Sequence, residues 1–473
     1  MFKVLKKEIR KFQLEKKEKV YLLFFLSLYL IYGIFHILHF PLFIDEALTF
    51  NGYSSQNLIT IITNYKEPNN HIFFSLIAHF FNYLPFPTLI NLRLPNLILG
   101  IIASLLFYFI LRSKYNHKIS VIPHLFFTFC YFLTYYSVFA RGYMLIILSA
   151  VICYYCIEKL INQFNTKYLL IYSIASIVGF YTIPVFLYAS GTFILYLIIN
   201  FYKNKNQLFI LLKYHILIAL SVFFLYTPII MYNGIDAIIN NEWTKKIPTS
   251  EIIEGFKNGA LLNMYDKITG LKSFVIISLF FITLLFLYFR RSTLNEKRDI
   301  QFIIFAFLLP FLFLFVQHVI PGTRTWCYLI VPFSLGIGLI LNRIINFIAI
   351  PNSLILTGGL LILTINFYIF YKSHPTAAKD LDYTTQQFVS KLDPYHFKSY
   401  YIEDEPKSYI ESFLMFENHS EQVKYYNQSN TLKNIPWNKI DCLILKKDSK
   451  LTEKINNKTI LFESSTHIAI ANK

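Results

Sequence analysis

Residues 40–93 read FPLFIDEALTFNGYSSQNLITIITNYKEPNNHIFFSLIAHFFNYLPFPTLINLR, and this stretch decides how the chain is folded. Asp45-Glu46 follows directly on an apolar run, Val20–Phe40. A polar loop, Tyr65-Lys66-Glu67-Pro68-Asn69-Asn70-His71, comes next, and Arg93-Leu94-Pro95 opens another apolar run. The segment between them, His71–Leu84, is apolar but only about 14 residues, roughly 21 Å as a helix. A bilayer core is about 30 Å thick. The segment is therefore expected to be a juxtamembrane helix that does not cross.

The rest of the composition supports a membrane setting. Of 473 residues 55% are hydrophobic, 18% aromatic and only 15% charged, against about 25% charged in an ordinary soluble domain. The net charge of +17 is carried mainly by Lys and Arg in short loops between apolar runs, which points to a membrane topology signal and away from nucleic acid. Eight Lys/Arg lie in residues 1–19. With Phe2, Leu5, Ile9 and Phe12 at helical spacing, this segment suits a short helix on an anionic leaflet or a basic tail, and either fixes the N-terminus inside. The apolar run after it is too long, and lacks the small-residue site, for a cleavable signal.

Counted this way, spans are expected at 20–40, 92–111, 119–137, 142–161, 167–182, 184–202, 208–230, 271–290, 300–318, 325–342 and 350–371. The basic loops Arg112/Lys114/Lys118, Lys159/Lys167, Lys203/Lys205 and Arg290/Arg291/Lys297/Arg298 then all fall inside, as the positive-inside rule requires. Had residues 71–84 crossed, all would fall outside. In the long outer loop 231–270, Pro248-Thr249-Ser250-Glu251 reads as a helix start. Residues 375–473 are polar, with a helix-like run near 380–392 and strand-like runs near 400–402, 442–445 and 459–470, a small α/β domain. The expected fold is thus an α-helical polytopic membrane protein, residues 20–371 with a first outer loop 41–91, followed by an α/β domain outside. Cys153 and Cys156 have CxxC spacing but sit in an apolar helix, and Cys442 stands alone, so no disulfide framework is implied.

In this topology the ionisable residues gather on the outer side: Asp45, Glu46, Lys66, Glu67, His71, Arg93, Arg141, His318 and Arg324. Charges beside a bilayer are costly and tend to be functional. A carboxylate there can act as a general base, and arginines and a lysine can neutralise a phosphate leaving group. Glu67 and His71, four apart, could together hold a divalent cation. Each residue also has a structural reading: Asp45 as a helix cap, Arg93 as an interfacial residue, Arg141 as a packing cation beside tyrosines, His318 as a satisfied interface histidine.

The segments Phe43-Ile44-Asp45-Glu46-Ala47, Lys66–His71, Leu92-Arg93-Leu94-Pro95-Asn96, Tyr135–Tyr143 and Pro321-Gly322-Thr323-Arg324-Thr325-Trp326, in this order, resemble the GT-C membrane glycosyltransferases. The nearest kin by these motifs are the protein O-mannosyltransferases and the lipid A aminoarabinose transferase group. That resemblance implies a sugar donor carried on polyprenyl phosphate, an acceptor lipid, glycan or protein, and a multi-pass protein of the plasma (inner) membrane. It implies Asp45 as the base and Glu46 as its neighbour. Lys66, Arg324, Arg141 and Arg93 form the donor-phosphate set, the last two shaping the site. Lys66-Glu67 followed by Asn69-Asn70 departs from the Glu-Lys-Pro-Pro order of the aminoarabinose branch. The competing reading is a transporter or lipid flippase using the same charges, but such sites lie near the midplane of repeated halves. The sequence shows no repeat and no mid-span charge.

Overall fold

The computed structural model describes residues 14–65, 69–241, 244–257, 274–290, 292–347, 351–373, 381–392, 395, 397–403, 409–418, 424–427, 440–447, 459–463 and 467–471. Most of the basic N-terminal segment, and Lys66, Glu67 and Arg291, lie outside them. The chain forms two compact units, residues 1–38 with 58–373, and residues 39–57 with 374–473.

The first unit is helical. Its elements are α1 (Lys16–His39), then, beyond the 39–57 segment with its short helix α2 (Ile44–Thr49) and the π-helical turn Phe50–Ser54 that continues it, α3 (Leu58–Thr63), α4 (Ile72–Phe81), α5 (Thr88–Lys114), α6 (His117–Phe129), α7 (Tyr131–Tyr136), α8 (Tyr143–Asn162), α9 (Thr166–Thr182), α10 (Leu187–Phe201) and α11 (Lys205–Asn233). Next come α12 (Asp236–Ile239), α13 (Thr249–Lys257), α14 (Phe274–Phe289), α15 (Leu294–Gln317), a 3-10 segment Thr323–Leu329, α16 (Ile330–Phe347) and α17 (Asn352–Ser373). Within the described residues every expected span falls on helix. Among those residues, seven helical stretches are long and apolar enough to cross a membrane. The expected juxtamembrane segment is the 10-residue helix α4, and the helix start at Pro248 leads into α13. Large apolar side chains such as Leu23, Phe24 and Ile31 on α1 and Leu220, Phe223 and Phe224 on α11 face outward, a surface suited to lipid and not to water. The protein is membrane-embedded.

One expected span is broken. Residues 119–137 form α6 and α7 with Cys130 between them in extended geometry (φ −64°, ψ 158°), its N–H still bonded to Phe126 O at 3.0 Å. Helices that start at the basic end carry polar caps: Asn116, Asn165, Asn204 and Thr293 each accept an N–H of the first turn. That end is also pinned by ion pairs that loop counting does not foresee. Arg112 on α5 bonds Glu18 on α1, and Tyr108 Oη donates to the same carboxylate at 3.3 Å. Lys114 on α5 joins Glu158 on α8 and Asp299 on α15, the latter at 2.8 Å, and Tyr154 Oη donates to Asp299 at 3.3 Å. Deeper in the bundle, Tyr21, His124, Ser104 and Thr128 form a buried hydrogen-bonded chain of 2.6, 3.0 and 2.5 Å between α1, α5 and α6. Of these groups Glu158 and His124 lie within expected spans, whereas Glu18, Arg112, Lys114 and Asp299 sit just beyond span ends.

The second unit is the small α/β domain. It contains α18 (Leu381–Ser390), β1 (Ser399–Ile402), α19 (Tyr409–Asn418), β2 (Lys424–Asn427), β3 (Cys442–Lys446), β4 (Ile460–Glu463) and β5 (His467–Ala471). The sheet order is β2-β1-β3-β5-β4, with β1 parallel to β2 and β3, and β5 antiparallel to β3 and β4. Tyr401, Ile440, Leu443, Leu445, Ile468 and Ile470 form its core. The run 459–470, strand-like throughout in sequence, is two strands, and α19 and β2 have no counterpart in the sequence reading. Segment 39–57, assigned by sequence to the membrane domain, belongs with this unit.

Candidate active site

In the membrane unit the turn between α7 and α8 grips the first loop. Asn96 on α5 donates through Nδ2 to Phe139 O at 2.5 Å and to Arg141 O at 2.8 Å, which fixes the backbone of the turn. Arg141 then reaches the loop, its Nη1 donating to Asn69 O at 2.8 Å. Asn70 closes the loop on itself, donating to Ile61 O at 2.8 Å and Asn64 O at 3.0 Å and accepting from Ser75 Oγ at 2.9 Å. His71, at the N-terminus of α4, takes the Gly142 N–H on Nδ1 at 2.8 Å, and Arg141 Nη2 stands 3.2 Å from Nε2. A glycine is required at 142, because a Cβ there would collide with the Thr182 methyl and lie 2.9 Å from His71 Cβ.

His71 and Arg141 are 3% and 1% exposed. Burial first, then the positive charges of Arg141 and Arg324, hold the imidazole well below the usual histidine pKa, so it is neutral. A neutral ring accepts at one nitrogen only. The Gly142 amide makes the shorter bond and assigns Nδ1 as that acceptor. His71 Nε2–H and Arg141 Nη2–H are then neighbouring donors 3.2 Å apart, an arrangement that suits an anionic oxygen. Tyr143 completes the cluster, edge-on to His71 at 5.1 Å between ring centres, with the half-buried Arg324 guanidinium 5.9 Å from its ring centre. Arg324 lies in the 3-10 segment begun by Thr325 N–H and Oγ1 bonding Gly322 O at 3.0 and 2.7 Å. Arg93 is fully buried and does not snorkel: its Nη1 donates to Ile37 O at 3.3 Å, in the last turn of α1. His318 caps α15 in left-handed geometry (φ 57°) and its carbonyl accepts from Ile247 N–H at 2.8 Å, a structural role.

Asp45 and Glu46 belong to the other unit, in the first turn of α2. Glu46 is buried and turns back, its Oε2 accepting the Phe43 N–H at 3.2 Å, whereas Asp45 is half-buried. Lys66 and Glu67 lie outside the described residues. His71 Nδ1 is taken by the Gly142 N–H and Nε2 faces the Arg141 guanidinium. Among the described residues no group of three or more His, Cys, Asp or Glu is arranged to hold a metal ion. Asn96 and Gly142 hold the turn beside His71, and sequence reasoning leaves both unassigned although they stand inside quoted motifs. Asn96 is an amide in an apolar helix, the one signal available.

Residues 67–231 match the family model described as dolichyl-phosphate-mannose-protein mannosyltransferase. Among solved structures, ArnT from Cupriavidus metallidurans bound to undecaprenyl phosphate superposes with a TM-score of 0.64 at 11% identity, over 96% of this chain and 98% of that one. The chain has the GT-C fold. ArnT of the same organism in its apo state gives 0.55 at 10% identity, over 85% and 87%. No curated protein matches the chain by sequence.

Proposed function

We propose that the protein transfers a sugar from a polyprenyl-phosphate-linked donor to an acceptor at the outer face of the membrane. The acceptor heteroatom attacks the anomeric carbon from the side opposite the phosphate. Its proton passes to the Asp45 carboxylate, and the carbon–oxygen bond to phosphate breaks with the electron pair leaving on the phosphate. The sugar inverts, and a polyprenyl phosphate is released. Arg324 and Lys66 neutralise the charge that grows on the leaving oxygen. Arg141, seated on Asn69 and His71, shapes that pocket and adds a donor to it, and Arg93 fixes the end of α1. Glu46, spent on its own helix start, orients Asp45's turn.

The observation that carries this reading is the paired donor set of neutral His71 and Arg141 beside Arg324. It suits a phosphate oxygen, and it stands in a chain with a GT-C fold whose relative ArnT is bound to undecaprenyl phosphate. The test is transfer of radiolabelled sugar from a panel of polyprenyl-phosphate sugars by protein in proteoliposomes, with and without chelator. One panel member should donate, unaffected by chelator. Loss of transfer on chelation would contradict the metal-free scheme.

A further inference from the structure

Residues 39–57 are joined in sequence to α1 and α3, yet they fold with the C-terminal domain. Even with the π-helical turn Phe50–Ser54 that continues it, α2 is shorter than the length of about 12–15 residues at which a helix holds its own geometry in water. What orients it must therefore be what it packs on, and that is α19. Leu42 N–H donates to Gln386 Oε1 at 3.0 Å, in the linker just before α2. Asn51 Nδ2 donates to Ser412 O on α19 at 2.8 Å, just after it. The Phe50 and Phe416 rings meet edge to face at 5.0 Å. Leu42, Ala47 and Phe413 are fully buried and Phe416 nearly so. The helix that carries Asp45 is thus fastened at both ends and along its buried side to a domain encoded more than 300 residues later.

We propose that the C-terminal α/β domain is the positioning element for Asp45, with Gln386, Asn51 and Phe416 as positioning residues. This rests on the reading of Asp45 as the base. The domain does not touch the reacting atoms through these residues; it sets where the carboxylate stands. An error of about 1 Å in such a group costs up to about 100-fold in rate. Donor affinity, which depends on the cation set of the membrane unit, is left alone.

The test uses full-length protein in proteoliposomes with the double variant Gln386→Ala/Phe416→Ala, the conservative Phe416→Leu, and Asp45→Asn as control. The double variant should lose about 10- to 100-fold in kcat with donor KM unchanged, and Phe416→Leu should restore most of it. Amide hydrogen exchange over residues 42–51 should quicken in the double variant while that over 72–81 stays as in wild type. If the double variant fails to insert, Asn51→Ala, which deletes only the bond to Ser412, is expected to give the same split and the same quickened exchange. Wild-type kcat together with wild-type exchange over 42–51 overturns the proposal. So does a kcat loss with that exchange unchanged. Unimpaired transfer by Asp45→Asn overturns instead the reading of Asp45, while the exchange measurement still reports on the fastening of α2.

Discussion

At the scale of single residues the site turns on His71. Its sequence neighbour Glu67 gives it the look of half a metal site, because spacing along a helix is all that local sequence displays. Its partners are Arg141 and Gly142, about 70 residues away, and no local pattern announces a contact of that range. The neutral state of His71 has a consequence for pH. Its folded pKa lies below the unfolded value of about 6.5, so its contribution to stability is present above that value and is lost as pH falls below it. The limiting slope is about 1.4 kcal/mol per pH unit for one proton. Thermal unfolding between pH 7.5 and 5 should therefore show a steeper acid loss in wild type than in His71→Asn. Equal slopes would mean that the imidazole is not held neutral. Arg93 is legible as an outer-side arginine, but its place in the last turn of α1 needs the third dimension.

At the scale of elements, hydropathy is enough to place the helices of the membrane unit, because burial in lipid imposes runs of about 20 apolar residues, and seven of the described helical stretches are long and apolar enough to cross. It also marks α4, at 10 residues, as shorter than a crossing helix needs to be. It does not find the break at Cys130, where no proline or glycine marks the end of α6. The α7–α8 turn just after it is held by Asn96, whose two bonds satisfy the buried carbonyls of Phe139 and Arg141. Asn96→Leu keeps the volume and removes both donors, so each carbonyl loses a buried partner at a cost of about 1–3 kcal/mol. The expected outcome is a lowered Tm together with a fall in transfer, since Arg141 and Gly142 move with the turn. A drop in Tm with transfer intact would show that the turn's backbone is not part of the working site.

At the scale of the whole molecule, charge patterning in the sequence reads as topology alone, whereas part of that charge is structural. Lys114 bridges Glu158 and Asp299 and so ties α5 to α8 and α15, and Arg112 ties α5 to α1. Acidic partners at such distances in sequence look like scattered loop charges until the helices are assembled. Lys114→Met leaves two carboxylates without their cation and should cost about 3–5 kcal/mol. Adding Glu158→Gln and Asp299→Asn should recover most of it, and a single variant as stable as wild type would contradict the buried bridge. The domain boundary is the other illegible feature: a composition change marks residue 375, but nothing in residues 39–57 declares that they fold with the chain beyond that point. That segment carries Asp45, the proposed base. The most direct measurement is single-turnover transfer from a donor that wild type uses, comparing Asp45→Asn with Glu46→Gln in proteoliposomes. Asp45→Asn is predicted to lose at least about 100-fold, with Glu46→Gln retaining much more of the rate; transfer by Asp45→Asn at the wild-type rate would contradict Asp45 as the base.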